Sequence, residues 1–361
     1  MVRTVDAFSH AQQSKCPCVL FQNGIYLHVV CSGIVIDCPI RLKHTVHSEH
    51  GDAVREENRW HHGEKVRMQK LLFDDPELAR REAKPLRTQL LKWIGNKQRF
   101  AERIVSFFPE DFGTYIEPFL GSGAVLATLS KDGSIGGDSF RPLMEIWETL
   151  AETPNRLKEW YAERWHFMMH RDKKRAYEAI KARYNASPNG ADLLFLCRSC
   201  YGGVVRFRQA DGYMSTPCGI HSPIRPESFA KRVDIWSSRV KGATFQRAEY
   251  EETMAMAREG DLVYCDPPYT HTQSILYGAQ SFSLERLLQH IEDCKSRGVY
   301  VALSIDGSKR SGKVRCRLPA CEGLFEREVF LDCGRSMLKR FQMNGLSLEE
   351  EVVHDRLLLT Y

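Results

Sequence analysis

The chain lacks a convincing apolar run of membrane-spanning length: its best candidate, Val19 to Ile36, is interrupted by Gln22, Asn23, Gly24 and His28. The same interruptions spoil it as the apolar core of a secretion signal, so a cytoplasmic protein with no membrane partner is expected. Without secretion, the 12 cysteines are expected as reduced thiols in or near the core, Cys197, Cys200 and Cys265 among them. Zinc-ligand patterning is missing too. Residues 1–85 hold Cys16, Cys18, Cys31 and Cys38 with His10, His28, His44, His47, His50, His61 and His62, but their spacing matches none of the usual zinc-ligand patterns, and no metal is expected. No arrangement of nucleophile, base and orienting acid points to hydrolysis, and no carboxylate cluster resembles a nuclease metal site. Charge of one sign is scarce as well: the formal net charge is only +5 over 361 residues. That length suffices for one large α/β domain and a smaller second one.

What is present is concentrated in a few motifs, the most informative being Tyr264-Cys265-Asp266-Pro267-Pro268-Tyr269, directly after the apolar strand Leu262 to Cys265. An exocyclic amine on adenine gives its lone pair to the ring and is a poor nucleophile until acceptors bind its N–H groups. Asp266 supplies one acceptor. The two prolines fix φ and remove donors, leaving the Pro267 carbonyl as a second. Tyr269 offers a face on which a planar base can stack. Alone, the stretch would equally describe a strand ending in a Pro-rich turn with a buried tyrosine.

Far upstream, Glu117-Pro118-Phe119-Leu120-Gly121-Ser122-Gly123 follows a short apolar strand, Thr114 to Ile116, and leads into a helix-like run from Ala124 to Leu129. Glycines there let the backbone approach a ligand closely at a helix N-terminus. About twenty residues on, Ser134 to Gly137 reads as a second strand ending in Asp138, placed to accept from ribose hydroxyls. A third piece, Leu91-Lys92-Trp93-Ile94-Gly95-Asn96-Lys97, precedes both.

In this order the motifs resemble those of the Dam-type, α-group DNA N6-adenine methyltransferases, which run KWxGxK, ExFxGxG, an acidic ribose ligand, an inserted target-recognition region and DPPY. The resemblance covers about residues 86–361. It implies that Trp93, Lys97, Asp138 and Asp266 contact S-adenosylmethionine, with Phe119, Gly121 and Gly123 shaping the pocket. It implies further that Asp266, Pro267, Pro268 and Tyr269 hold a flipped adenine, without a metal. Ser281-Phe282 resembles a short polar-Phe element packing near the cofactor; a plain core phenylalanine would look the same.

Positive charge is uneven. Between Ala151 and Arg247 there are 18 Lys and Arg against 9 Asp and Glu, a net of +9 that leaves the rest of the chain at −4. Counterion release makes such a basic segment suited to double-stranded DNA. Leu157 to Arg183 reads as helical, with Trp160, Trp165, Tyr177, Ile180 and Tyr184 as its buried stripe. The run Arg171-Asp172-Lys173-Lys174-Arg175 reads either as a solvated helix face or as a phosphate clamp. Leu196 to Arg208 resembles the family's recognition hairpin, with Arg198, Tyr201, Arg206 and Arg208 as expected DNA contacts and Lys92 as a further one. Period-two alternation puts Arg206 and Arg208 on one side, where either could read guanine, and Tyr201 is placed to wedge into the base stack. Gly202 departs from the family, which often carries Asn there.

Beyond DPPY, Phe282 to Ser296 reads as an amphipathic helix with Leu284, Leu287, Leu288 and Ile291 on one face, and Val299 to Ile305 as a buried strand. Ser304 and Asp306 end it at the carboxyl edge; Glu326 to Leu331 and Leu357 to Tyr361 read as a closing hairpin, and Lys339 to Asn344 as a loop over the DNA side. The expected fold is therefore α/β, a doubly wound S-adenosylmethionine-dependent methyltransferase sheet with an inserted, mainly helical target-recognition domain. Its expected parts are an extension (1–85), the first part of the catalytic domain (86–150), the insert (151–247) and the second part (248–361). Residues 1–67 are expected to be dispensable for catalysis, with Met68 as a possible functional start. The expected function is site-specific adenine-N6 methylation of a short DNA sequence by a monomer, with a possible cognate restriction endonuclease acting on the same site. Cytosine-N4 methylation, RNA adenine methylation and a non-catalytic DNA-binding relative are the alternatives.

Overall fold

The computed structural model describes residues 85–361 apart from Gln209, 269–281, 310–313, 316–322 and 336–351, and three strands among the first 84 residues. The chain divides into two units, Met1–His61 and His62–Tyr361. In the first, β1 (Val19–Asn23), β2 (Tyr26–Cys31) and β3 (Ile34–Pro39) form an antiparallel sheet. The run that was too interrupted to span a membrane is thus divided among short strands rich in β-branched residues.

The second unit is built on a sheet whose strands are β4 (Tyr115–Glu117), β5 (Ile135–Asp138), β6 (Thr244–Arg247), β7 (Leu262–Cys265), β8 (Tyr300–Lys309), β9 (Val314–Arg315), β10 (Arg327–Arg335) and β11 (Val352–Leu359). Spatial order is β6-β5-β4-β7-β8-β11-β10, with β9 paired off β8. β6 to β8 run parallel, whereas β11 and β10 are antiparallel. The order reverses at β4, since the chain moves outward to β6 and then returns to lay β7 on β4's other side. That switch opens a crevice at the carboxyl ends of β4, β5 and β7.

Central strands are largely apolar up to the acids that end β4 and β5, because both faces are covered. Tyr115, Leu262, Tyr264 and Ala302 join one apolar cluster, while Ile116, Val263, Cys265, Val301 and Leu303 join the other, the two-residue alternation of a strand distributed over two cores.

The helices are α1 (Ala101–Val105), α2 (Ala124–Leu129), α3 (Arg141–Glu152), α4 (Pro154–Met169), α5 (Lys173–Ala186), α6 (Gly190–Ser199), α7 (Pro226–Arg239), α8 (Tyr250–Ala255) and α9 (Leu284–Ser296). No helix among the described residues is long and apolar enough to cross a membrane. α9 buries Leu287, Leu288, Ile291 and Cys294 against the second cluster, Leu284 being only partly covered. Between β5 and β6 lie α3 to α7 and a hairpin. Here the sequence expectation needs correction: the single helix expected from Leu157 to Arg183 is two, because the Asp172 side chain accepts from Arg175 N (2.8 Å) and starts a new helix. The break resets the helical phase. On α4 the buried positions are Leu157, Tyr161 and Met168, while Trp160 and Trp165 are partly buried; on α5 Tyr177, Ile180 and Tyr184 are buried as expected.

These helices share one apolar cluster with the sheet, from Phe108 and Tyr115 through Trp147 to Phe195 and Trp236. At their centre is Asp192, fully buried, which accepts from Arg164 Nε at 2.6 Å, from Arg183 Nε at 2.8 Å and from Asn189 Nδ2 at 3.1 Å. Burial pushes this carboxyl up, but its donors outweigh that and hold it below the usual aspartate value. The expected loop at Lys339 to Asn344 lies outside the described residues.

Candidate active site

Three strand ends build the crevice: Glu117 ends β4, Asp138 ends β5, and Asp266, Pro267 and Pro268 follow β7. Glu117, Asp138, Asp266 and Pro268 border a cavity of about 820 Å³, with Trp93 and Lys97 from the loop before α1 and with Phe119 and Gly121. Pro267 is buried behind its wall, and Tyr269 and Ser281 lie outside the described residues.

The loop between β4 and α2 depends on two left-handed glycines, Gly121 (φ 47°) and Gly123 (φ 59°). A Cβ at Gly123 would stand 2.8 Å from the Trp147 ring, and Trp147 Nε1 donates to the Gly121 carbonyl at 3.1 Å. Gly123 N donates to Leu120 O at 2.7 Å and Leu120 N to Gly137 O at 2.9 Å, so the loop is fastened to itself and to β5. The Trp93 ring lies over Gly121, 3.5 Å from where a Cβ would be.

Asp138 accepts from Gly121 N through Oδ2 (3.1 Å) and from Phe140 N through Oδ1 (3.0 Å). Burial raises its pKa and these two backbone donors restrain the rise. Each oxygen keeps a second lone pair for a ligand hydroxyl. Glu117 is more enclosed: Oε2 accepts from Tyr115 OH and from Leu126 N, both at 2.9 Å. Burial pushes its carboxyl well above the usual range, with the Tyr115 bond opposing and Asp266 adding to the shift.

Lys97 connects segments far apart in the sequence. Its Nζ is 3.1 Å from Asp266 Oδ1 and 2.8 Å from Asp355 Oδ2, with both Lys97 and Asp355 buried. Asp355, on β11, escaped the sequence reading. The available signal was a carboxylate between Val352-Val353-His354 and the apolar Leu357-Leu358-Leu359, a charge that a buried strand tolerates only when a distant partner neutralises it.

Two aromatic walls flank these groups. On one, Phe119 stacks on Tyr250 at 5.0 Å between ring centroids and Phe282 stands edge-on to Phe119 at 6.0 Å. On the other, Phe140 lies 6.2 Å from Trp93 and 5.5 Å from Phe207. Phe140, Phe207 and Tyr250 were not singled out from sequence, since a lone aromatic carries no mark distinguishing a cavity wall from core. No group of three or more His, Cys, Asp or Glu able to hold a metal occurs among the described residues.

The expected DNA-contacting residues separate into two kinds. In the hairpin after α6, Tyr201 N donates to Pro217 O (2.8 Å), Ser215 N to Arg206 O (2.9 Å) and Arg208 N to Tyr213 O (2.9 Å). Arg206 and Arg208 are both exposed, while the intervening Phe207 points to the cavity. Arg208 is held by Asp211 at 3.1 and 2.7 Å and lies over the Tyr213 ring. Tyr201 is 44 % exposed, and the exposed Lys92 lays its stem against Gly203, where a Cβ would meet Lys92 Cδ at 2.6 Å. Gly202 has φ 64°, a conformation that Asn also tolerates, so exchanging Asn for Gly preserves the backbone and removes only the amide.

Arg198 stands apart from this surface. It is buried and donates to Gln89 O (3.0 Å) and Leu90 O (2.8 Å), where Arg232 and Trp236 also donate to Gln89 O and Thr88 O. A guanidinium committed to backbone carbonyls inside the fold ties the segment before Trp93 to α6, and is not available to DNA in this conformation. α6 ends at Ser199, so Arg198 is still helical and inward-facing, which the reading of one continuous hairpin did not anticipate.

Comparison with known proteins places this geometry in context. The family described as D12 class N6 adenine-specific DNA methyltransferase matches residues 93–315. A DNA adenine methylase of Vibrio cholerae serotype O1 is 28% identical over 227 residues, covering 59% of this chain and 79% of the relative. The Retron Ec67 DNA adenine methylase of Escherichia coli is 30% identical over 193 residues, 51% of this chain and 65% of the relative. The type II methyltransferase M1.LlaDCHI of Lactococcus lactis subsp. cremoris is 24% identical over 238 residues, 60% and 80% respectively.

Proposed function

The chain belongs to the D12 class N6 adenine-specific DNA methyltransferases, whose match spans more than half its length, and from that premise we propose how its residues carry out site-specific methylation of a flipped adenine. The single observation that carries the reading is the convergence of Asp138, Asp266 and the Gly121 loop on one cavity at the sheet's switch point. S-adenosylmethionine fits this cavity and supplies, when bound, an electrophilic methyl on a sulfonium. The volume lies in the range for such ligands, aromatic walls suit a purine, and Asp138 is set to accept from ribose hydroxyls. Lys97, on the cavity wall, pairs with Asp266, which also lines it, and with Asp355 on β11.

The chain's own part is binding and orientation. The exposed hairpin and the basic helices dock double-stranded DNA, with Arg206 reading a base edge and Lys92 beside it. Tyr201 fills the gap left in the stack as the adenine turns out. Asp266 and the Pro267 carbonyl accept the two amine protons, drawing the nitrogen toward tetrahedral geometry and aiming its lone pair, while Tyr269 stacks on the ring. Positioning then supplies much of the acceleration, because an activated methyl needs alignment more than a strong base. The protein acts as a monomer on a short sequence, and a cognate endonuclease of a restriction-modification system is the corresponding partner.

Single-molecule long-read sequencing of DNA from a methylation-free host expressing the chain, beside the same host carrying Asp266→Ala, tests the proposal. Modified adenines within one short motif, only in the active strain, are expected. Modification that persists in the Asp266→Ala strain would overturn the residue assignment.

A further inference from the structure

Phe207 belongs to two surfaces at once. It sits between the exposed Arg206 and Arg208 on the outgoing strand of the hairpin, yet its own side chain lines the cavity at the strand ends. Among the described residues between Ala151 and Arg247, it is the sole one on that lining. Its ring stands edge-on to Phe140 at 5.5 Å between centroids, Phe140 lies 6.2 Å from Trp93, and Trp93 covers Gly121. The hairpin thus supplies an aromatic group to the same wall as the loop between β4 and α2.

The return strand of the hairpin is seated on α5. Asn185 donates through Nδ2 to Met214 O (3.1 Å) and accepts from Met214 N (2.7 Å), and Tyr177 OH donates to Thr216 O (2.8 Å). Around Phe207 the outgoing strand joins the return strand through an isolated bridge to Met214 rather than a continuous ladder. Two-stranded pairing of this kind is marginal in water, so packing of the Phe207 ring helps to fix where Arg206 and Arg208 stand. The ring is only partly buried, with Tyr184 at 6.4 Å and Phe140 on its protein side and the cavity open beside it. A ligand that fills the cavity covers the rest.

We propose that Phe207 is a positioning residue that couples cofactor binding to DNA recognition. With the cavity filled, its ring is held between ligand and Phe140, and the strand keeps the arrangement that presents Arg206 to a base edge. Each ligand then spares the other part of the cost of ordering this strand, and linkage makes the coupling equal in both directions. The inference rests on the cofactor cavity and the DNA-facing arginines put forward above.

The test reads binding rather than turnover. Purified full-length protein is titrated into a labelled duplex carrying the motif found by sequencing, followed by fluorescence anisotropy at fixed salt. The titration is run with and without saturating S-adenosylhomocysteine, which has no methyl to transfer. Calorimetric titration of S-adenosylhomocysteine with and without the duplex gives the reverse direction. Wild type should bind the duplex about 10-fold more tightly with the cavity filled, and the calorimetric factor should match. Phe207→Ala should bring both factors below about 2-fold. Phe207→Leu keeps apolar bulk but no ring; it should do the same and replaces the alanine variant if that one does not fold. Phe207→Tyr, which keeps the ring, should restore the wild-type factor. A wild-type factor near 1 would overturn the coupling role while both binding sites stand. So would a Phe207→Ala protein whose cofactor affinity falls equally with and without DNA, the behaviour of a passive wall. Arg206→Ala is run alongside: if it binds the duplex as tightly as wild type, the DNA-reading role of the hairpin falls and this inference with it. Failure of wild type to bind S-adenosylhomocysteine would remove the cofactor reading and the inference together.

Discussion

Replacing Gly123 by alanine probes a place where the cofactor loop and the core meet in close steric contact. Gly123 has φ 59°, so any L-residue there adopts a left-handed conformation at about 1–2 kcal/mol. The added Cβ would also stand 2.8 Å from the Trp147 ring. Trp147 cannot simply retreat. It is fully buried, with Trp236 at 5.6 Å and Phe245 at 5.7 Å between ring centroids, and its indole N–H is bonded to Gly121 O. Overpacking of this kind costs about 1–3 kcal/mol, for a total of about 2–5 kcal/mol and a Tm lowered on the order of 10 °C. Gly133→Ala is the matched control: its φ is 72°, but nothing lies within 4 Å of the new Cβ, so only the backbone cost of about 1–2 kcal/mol applies. Urea unfolding followed by far-UV circular dichroism gives both values, and equal m-values confirm that the comparison is fair. The Gly123 variant should also bind S-adenosylmethionine more weakly, since displacing Trp147 releases the Gly121 carbonyl. Equal destabilisation by the two substitutions would falsify the steric argument.

Asp192→Ala should cost about 3–5 kcal/mol, toward the lower figure because Arg183 is 53% exposed and can turn to water while Arg164 cannot; a loss below about 1 kcal/mol in urea unfolding would refute it. The contribution of its ionised carboxylate is complete above the ordinary aspartate value near 4 and is lost as pH falls through the lowered folded value, so Asp192→Asn should flatten the acid side of the Tm profile. Glu117 has the opposite sign. Its raised folded pKa means that its stabilisation is present below about 4.3 and is lost as pH rises through the folded value, so Glu117→Gln should gain in Tm relative to wild type on going from acid to neutral pH; parallel profiles would contradict this. Arg206→Ala should leave stability within about 0.5 kcal/mol while weakening DNA binding or relaxing target choice. Arg198→Ala, by contrast, should cost about 1.5–3 kcal/mol by taking the charged donor from the Leu90 carbonyl and leaving Gln89 O to Arg232 alone. Thermal melts beside fluorescence-anisotropy DNA titrations separate the two arginines, and a stable Arg198→Ala with lost DNA affinity would return that residue to the DNA surface.

Much of the fold was legible because its signals are local. The strand Leu262–Cys265 and the helix Ala124–Leu129 lie where apolar runs and flanking turn residues put them, and the closing strands pair as a hairpin-like edge. The alternation of Arg206, Phe207 and Arg208 was equally readable, since strand periodicity fixes which side chains share a side. Less legible were features set by phase across a break. One side-chain cap at Asp172 divided an apparently continuous helix, moving the buried positions on α4 from the tryptophans to Leu157 and Tyr161.

The amino-acid sequence by itself determined the chemistry at hand: a carboxylate and a proline carbonyl after a strand, glycines in a strand-to-helix loop, an acid at the next strand end, and positive charge gathered between them. Each depends on residue type and short spacing, which the linear chain displays. Tertiary structure alone decided which charges meet. Lys97 finds Asp355 across 258 positions, Arg198 turns inward to Gln89 and Leu90 rather than outward, and Phe207 joins Trp93 and Phe140 in one wall. Buried charges and cavity walls are satisfied by whatever the folded sheet brings within about 3 Å for a polar contact, and that proximity has no counterpart in sequence separation.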